Sequence, residues 1–333
     1  MSLRNIADRN VQPIGLGCMC LSHAYGVPPT PQEGARVLNH ALDSGYDHLD
    51  SARLYGLGKN EVLIGEAIAH RRSEYFLASK CGIIIDGETR RIDCRPETIR
   101  REVETSLRLL KTDFIDLYYL HRRDFDTPIE ESVGALAELK AQGKIGGIGL
   151  SEMSAATLRR AHGEHPIAAM QTEYSLWSRN AEIAVLDTCA ELGVAFIAFS
   201  PVARGVFADA IRDPHTLVEK DLRRGQARFN EENWPKNLNL VDRFNAIAAR
   251  EGVTSAQLAL AWVLSRGDHV HAIPGTTSTG HLDENFAARD MAINASLVAE
   301  LDALINQDTV SGPRYGAAMQ RTIDTEEFQT TAQ

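Results

Sequence analysis

Four ionisable residues of complementary type stand where a folded chain can bring them together: Asp50, Tyr55, Lys80 and His121. As a group they suit proton transfer at an oxygen atom. A free tyrosine titrates near pH ~10 and is a poor acid at neutral pH. A neighbouring ammonium favours the phenolate and lowers that value. An aspartate beside the lysine keeps the lysine charged and positioned. A histidine can orient a carbonyl oxygen and share the proton. Each residue also has a plainer reading. Asp50 can cap a helix, and Tyr55 before Gly56 can pack a turn. Lys80 can be a solvated charge, and His121 can belong to a basic surface run with Arg122 and Arg123. Placement of all four at one end of one sheet would favour the chemistry over the plain readings.

The elements that would place them can be read from apolar patterning. Short runs rich in β-branched or aromatic residues span 13–18, 46–51, 75–81, 114–120, 145–150, 168–173, 195–200 and 271–274. Several are continuously apolar, as in Ala195-Phe-Ile-Ala-Phe199, which marks strands buried on both faces of a parallel sheet. Helical patterns lie between them. Residues 31–44 place Val37, Leu38, Ala41 and Leu42 on one side, and 96–110 place Ile99, Val103, Leu107 and Leu110 at helical spacing. Thr127 is expected to cap a helix opened by Pro128, Ser154 to cap a second, and Asn180 to cap a run ending at Leu192. Glycines at 45, 143 and 193 stop helices directly before strands.

Eight strand–helix alternations predict an α/β chain folded as a (β/α)8 TIM barrel, with a doubly wound sheet as the alternative. Two stretches break the rhythm. Residues 206–236 follow the seventh strand, are polar and lack a period, and read as a long loop over the barrel mouth. Residues 254–266, with Thr254 as N-cap, read as an extra helix before the last strand. The whole chain, 1–333, reads as one domain, and 308–333 as a carboxy-terminal tail that folds over the barrel or stays partly disordered.

Barrel enzymes gather function at the carboxy-terminal ends of their strands. Asp50 ends strand two, Lys80 strand three and His121 strand four, with Tyr55 one short loop beyond Asp50. The four candidates thus converge at one rim.

Composition narrows the function classes. The 333 residues are 44% hydrophobic and 24% charged, with a formal net charge of −10. That balance argues against a nucleic-acid or anionic-membrane surface. No apolar run is long enough to span a bilayer and the first ten residues are polar, so a cytoplasmic location is expected. The five scattered cysteines read as reduced thiols, and no metal site is expected.

The segment Asp50-Ser-Ala-Arg-Leu-Tyr55-Gly-Leu-Gly-Lys-Asn-Glu61-Val-Leu-Ile-Gly65 resembles the aldo-keto reductase signature around its catalytic aspartate and tyrosine. Ser79-Lys80 and Asp116-Leu-Tyr-Tyr-Leu-His121 resemble that family's lysine and histidine segments. Residues 168–179, with Arg228-Phe229 through Asn237, resemble the branch that holds the potassium-channel β subunits and many microbial and plant reductases. The resemblance implies a barrel with NADPH bound across its mouth, Tyr55 as general acid, Lys80 salt-bridged to Asp50 and lowering the pKa of Tyr55, and His121 orienting the carbonyl.

It also implies cofactor contacts. Ser151 and Gln171 match residues that meet the nicotinamide carboxamide, while Glu152 stands where many members carry asparagine. Phe199 offers a face for the nicotinamide ring. Ser200, Val202 and Gly205 fall where the pyrophosphate passes. Gly275, Thr276, Thr277 and Ser278, then His281, Glu284 and Asn285, match the adenosine end. Related sequences carry basic residues near there to hold a 2′-phosphate. Here Thr277, Ser278 and His281 take those places, so NADPH is expected with NADH as competitor.

The substrate is expected to be a small carbonyl compound. Met19, Tyr25, Leu54, Ile83, Ile84, Arg122 and Trp177 are expected to line its pocket; Arg122 reads equally as an exposed charge. An NAD-linked alcohol or sugar dehydrogenase, or a cofactor-binding regulatory subunit like the channel β subunits, are the alternatives. Oligomeric state is left open.

Overall fold

The continuously apolar runs become strands because each can be covered on both faces, by helices outside and by neighbouring side chains inside. The structure, a computed structural model, describes residues 2–328 apart from 23, 88 and 209. Its barrel strands are β1 (Leu16–Gly17), β2 (His48–Asp50), β3 (Phe76–Cys81), β4 (Ile115–Leu120), β5 (Ile145–Ser151), β6 (Ala169–Glu173), β7 (Ala195–Phe199) and β8 (Val270–Ile273). Each pairs in parallel with the next in chain order. The barrel closes where Ile14 bridges Ala272: the Gly15 amide donates to the Ala272 carbonyl at 2.9 Å and the Gly17 amide to that of Pro274 at 3.1 Å. The (β/α)8 expectation therefore holds, and the open doubly wound sheet does not.

Two apolar cores follow. The larger lies between the strands and their helices. The smaller fills the barrel with Phe76, Leu117, Tyr119, Ile197 and Ile273 among others. A hairpin of Arg4–Ile6 against Arg9–Val11 adds Ile6 and Val11 to that inner core and plugs the barrel floor. Its polar residues conceal this role in the sequence.

The helices are α1 (Pro31–Asp43), α2 (Lys59–Ile68), α3 (Pro96–Leu110), α4 (Ile129–Ala141), α5 (Ala155–Glu164), α6 (Val185–Leu192), α7 (Trp234–Arg250), α8 (Ser255–Leu264), α9 (Thr279–Ala287) and α10 (Ala295–Leu304). Ser154 caps α5 by accepting from the Thr157 amide, and Thr254 forms a capping box with Gln257 on α8. Two expected caps fail. Pro128, not Thr127, occupies the N-cap of α4, because the Thr127 hydroxyl donates to Asp124 at 2.8 Å. Asn180 opens a short 3-10 turn, and α6 starts at Val185 without a side-chain cap, because the Asn180 amide donates to the Glu326 carbonyl at 3.0 Å.

The stretch expected as loop, 206–236, is folded into short 3-10 turns, and its last three residues already belong to α7. The expected extra helix is α8, and α7 stands before it as a second one. Residues 234–250 bury Leu240, Val241, Phe244 and Ile247 at helical spacing, a pattern not picked up in the sequence. The tail docks on the barrel instead of trailing from it: the Asp324 carboxylate accepts from the Ser154 amide at 3.2 Å and Glu326 from the Ala155 amide at 2.8 Å, at the start of α5. Residues 329–333 of the expected tail lie outside the described residues. Among the described residues no helix is long and apolar enough to cross a membrane.

Candidate active site

At the carboxy-terminal end of the barrel lies a cavity of about 1100 Å³. Asp50, Tyr55 and His121 line it, while Lys80 lies beneath them with 0% of its surface exposed. Tyr55 begins a turn in which Gly56 adopts φ +57°, a conformation glycine takes without a Cβ penalty, and this turn carries the phenol back over the strand ends. The four residues therefore meet, and the solvated-charge reading of Lys80 is excluded by its burial.

The Lys80 ammonium has three partners. It donates to Asp50 Oδ1, to the Ser51 carbonyl at 2.6 Å and to the Tyr55 hydroxyl at 3.4 Å. The second Asp50 oxygen accepts from Gln171 Nε2 at 2.7 Å. The His121 ring stands edge-on to Tyr55, with centroids 5.9 Å apart.

Burial is the largest influence on each titration. For Lys80 it opposes the charge, but Asp50 and Tyr55 together outweigh it and the ammonium is held above its ordinary range. For Tyr55 burial raises the phenol above its ordinary value, against a lowering pull from Lys80. The expected net lowering of Tyr55 is thus corrected, because desolvating a phenolate costs more here than one neighbouring ammonium returns. For His121 burial, then the charges of Arg122, Lys80 and Arg90, hold the imidazole neutral far below its usual range. The cluster at neutral pH is a charged lysine, a protonated phenol and a neutral imidazole.

The expected cofactor positions are distributed along the same cavity. Ser151, Gln171, Phe199, Ser200, Val202, Gly205, Gly275, Thr276, Thr277, His281, Glu284 and Asn285 line it. Ser278 does not; its hydroxyl accepts from the His281 amide and caps α9. Glu152 is buried away from the cavity and bonds to the tail residue Arg314, which accounts for a carboxylate at that position. After β7 the backbone takes positive φ at Ser200, Ala203, Arg204 and Gly205. Such turns can present successive amides to an anion. The start of α9 adds a second site of that kind at the far end.

On the expected substrate side, Met19, Tyr25, Leu54, Ile83 and Arg122 line the cavity. Arg122 is only 8% exposed, so the exposed-charge reading fails. Ile84 does not line the cavity; it lines a small neighbouring cleft with Arg53 and Glu102, which Ile83 and Ile85 border as well, while these two also reach the cavity from the other face of their strand. Trp177 is also misplaced. The tight turn Ser175–Ser178 directs it into the core, edge-on to Phe207 at 5.8 Å.

The sequence reading missed the lining residues that three segments supply. A hairpin of Ile83–Asp86 against Thr89–Ile92 supplies Ile85 and Arg90; Asp86-Gly87 between β-branched runs was the available signal. The loop after β7 supplies Arg204 and Arg223. The tail supplies Tyr315 and Met319. Contacts of the tail with Glu152, just past β5, and with Glu173 at the end of β6 span more than 140 positions, and no local pattern predicts them.

Residues 13–306 match the model of the aldo/keto reductase family. The chain is 40% identical over 307 residues to a probable aldo-keto reductase 1 of Glycine max, covering 92% of this chain and 88% of that one. Among solved structures it resembles a glycerol dehydrogenase from Gluconobacter oxydans (26% identity, TM-score 0.84, 100% and 99% of the two chains). It also resembles an aldo-keto reductase from Klebsiella pneumoniae in complex with NADPH (28% identity, TM-score 0.73, 94% and 99%).

Proposed function

This chain belongs to the aldo/keto reductase family, and we propose that it reduces an aldehyde or ketone to the alcohol with NADPH, Tyr55 giving the proton. The observation that carries the reading is the Tyr55 hydroxyl at 3.4 Å from a buried Lys80 that is itself held by Asp50, on a cavity shared with His121.

The cavity suits an extended dinucleotide. Ser151 and Gln171 would meet the carboxamide and Phe199 would face the nicotinamide ring. The positive-φ turn at Ser200–Gly205 would take the pyrophosphate, and Thr276, Thr277, His281 and the start of α9 the adenosine end. Bound there, the cofactor supplies the hydride.

The side chains supply the rest. Asp50 keeps Lys80 charged, and Lys80 fixes the Tyr55 oxygen. Burial keeps Tyr55 protonated until a carbonyl oxygen accepts from it. His121, neutral, donates a second hydrogen bond to that oxygen as negative charge develops on it. The fixed Lys80 charge then stabilises the phenolate left behind. The same residues serve alcohol oxidation in reverse. Five buried, unpaired cysteines suit the reducing cytoplasm, and the chain is read as one functional unit.

A second reading, an NADH-linked enzyme, is favoured by Thr277 and His281 at the far end, where neither gives the fixed charge and bidentate fork of an arginine. Fluorescence titration with NADPH and with NADH tests both. Tighter NADPH binding is expected. Tighter NADH binding would move the assignment to an NAD-linked dehydrogenase, and folded protein that bound neither would sink the nicotinamide reading.

A further inference from the structure

Next to the proton donor, the cavity carries two guanidinium groups that have no carboxylate partner among the described residues. Arg122 follows His121 directly at the end of β4. Its Nη1 donates to the His121 carbonyl at 2.6 Å and lies 3.4 Å from the Ser151 hydroxyl. Its Nε is buried without an acceptor, and Nη2 makes no hydrogen bond among the described residues. Arg90 enters the cavity from the strand Thr89–Ile92, where Nη1 contacts only the Met319 sulfur, at 3.8 Å, among the described residues. Both side chains line the cavity together with Tyr55 and His121.

The other two arginines of the cavity differ. Arg204 is paired with Glu173 at 2.7 Å and Arg223 with Asp221 at 2.7 Å. On the hairpin itself, Arg91 is paired with Asp93. Carboxylates thus face Arg204, Arg223 and Arg91, while none among the described residues faces Arg90 or Arg122. A buried guanidinium without a counter-charge is costly, and Arg122 is one; Arg90, on its exposed hairpin, adds a second positive charge beside it. The two groups also act on each other: burial, then the charge of Arg122, lowers Arg90 from its ordinary range. An anion between them would relieve both costs. Arg122 Nη2, unbonded among the described residues, is left to donate to a carboxylate oxygen. Met19, Leu54, Ile83 and Ile85 add apolar wall to the same cavity.

We propose that the substrate is a carbonyl compound that also carries a carboxylate, seated on Arg122 and Arg90 while its carbonyl reaches Tyr55 and His121. This rests on the reductase reading above and narrows it to a substrate class. The seat also explains why Arg122 stands beside the histidine: it fixes one end of the substrate so that the other is presented to the phenol.

The test compares 4-carboxybenzaldehyde with its methyl ester, methyl 4-formylbenzoate, using the purified protein and NADPH. The wild type is expected to favour the carboxylate by at least about tenfold in kcat/KM. Arg122→Met and Arg90→Gln should each pull that ratio towards one, mainly through KM, and Arg122→Lys should restore part of it. Equal or better turnover of the ester by the wild type overturns the proposal, as does a ratio that survives both substitutions. Arg90 is exposed on its hairpin, so its variant keeps the test valid if Arg122→Met does not fold.

A second arm needs no turnover: calorimetric titration with terephthalate, an unreactive dicarboxylate. Saturable binding that weakens about tenfold or more in the Arg122 or Arg90 variant supports the seat, even if neither aldehyde is reduced with either nucleotide; that combination would remove the reductase reading instead. Absence of terephthalate binding, with the ester reduced, removes the seat and leaves the reductase.

Discussion

At the mouth of the barrel two buried phenols sit in two charge centres that are built differently. Tyr55 is the acceptor of a hydrogen bond from Lys80, 3.4 Å away, so its own proton is left for whatever enters the cavity. Tyr315, on the tail, donates its hydrogen bond to Glu173 at 2.8 Å. Both phenols line the cavity and burial raises both above the ordinary tyrosine range. What separates them is the partner: a donor behind Tyr55 turns its proton outward, and an acceptor behind Tyr315 turns its proton inward. The charges around them follow suit. Lys80 meets one carboxylate. Around Tyr315, Arg204 and Arg314 both reach Glu173, Arg314 also reaches Glu152, and Ser178 donates to Glu173 at 3.1 Å. The first centre leaves a donor unspent. The second spends its donors on holding the tail against β5 and β6.

The sharpest way to break this comparison is to remove each phenol or its neighbour. Tyr55→Phe should lower kcat/KM for carbonyl reduction by about 10³-fold, the scale of a lost general acid, with NADPH affinity and thermal stability little changed. Steady-state kinetics and a melting curve check it, and near-normal turnover would remove Tyr55 from the proton step.

Arg314→Leu should show the opposite profile. It leaves Glu152 and Glu173 buried with too little counter-charge, and should destabilise the fold by about 3–5 kcal/mol in urea unfolding, with a rise in KM because Tyr315 and Met319 wall the cavity. A variant of unchanged stability would mean that the tail is not anchored by this ion network.

The smallest expected effect is a pH profile that stays flat. Burial raises Tyr55 and depresses His121, so neither changes charge across the neutral range. The reduction step measured in single turnover should hold its rate through that range. It should fall only above the ordinary tyrosine range, as the phenol loses the proton it must give. For Glu173 the charges of Arg204, Arg314 and Arg228, with the Tyr315 hydrogen bond, overcome burial and hold the carboxylate well below its usual range. The stability it contributes is therefore present above the ordinary glutamate range and is lost only as pH falls through its depressed value. A strong dependence of rate on pH near neutrality would mean that a group other than Tyr55 donates the proton.

The barrel and the convergence of Asp50, Tyr55, Lys80 and His121 were legible because both are local signals. Each strand is a short apolar run, three helices stop at the glycines 45, 143 and 193, and each of the four residues lies at or just beyond a strand end. A repeated β–α unit has few ways to close, so the positions followed once the alternation was counted. Other features were set by contacts that sequence spacing does not carry. Trp177 is apolar and near a strand end, but a four-residue turn decides that it faces the core. Ile84 and Ile85 are the same residue type, yet only Ile85 reaches the main cavity, because alternate residues of a strand face opposite ways. The net rise of the Tyr55 pKa depends on how deeply the phenol is desolvated, a sum over surrounding elements. The role of Glu152 depends on Arg314, 162 positions along the chain. The sequence by itself determined the periodic elements and the residue types at the strand ends, because those are fixed by neighbours along the chain. Only the tertiary structure decided which arginines are paired and which proton is free, because burial and counter-charge are properties of the folded surroundings.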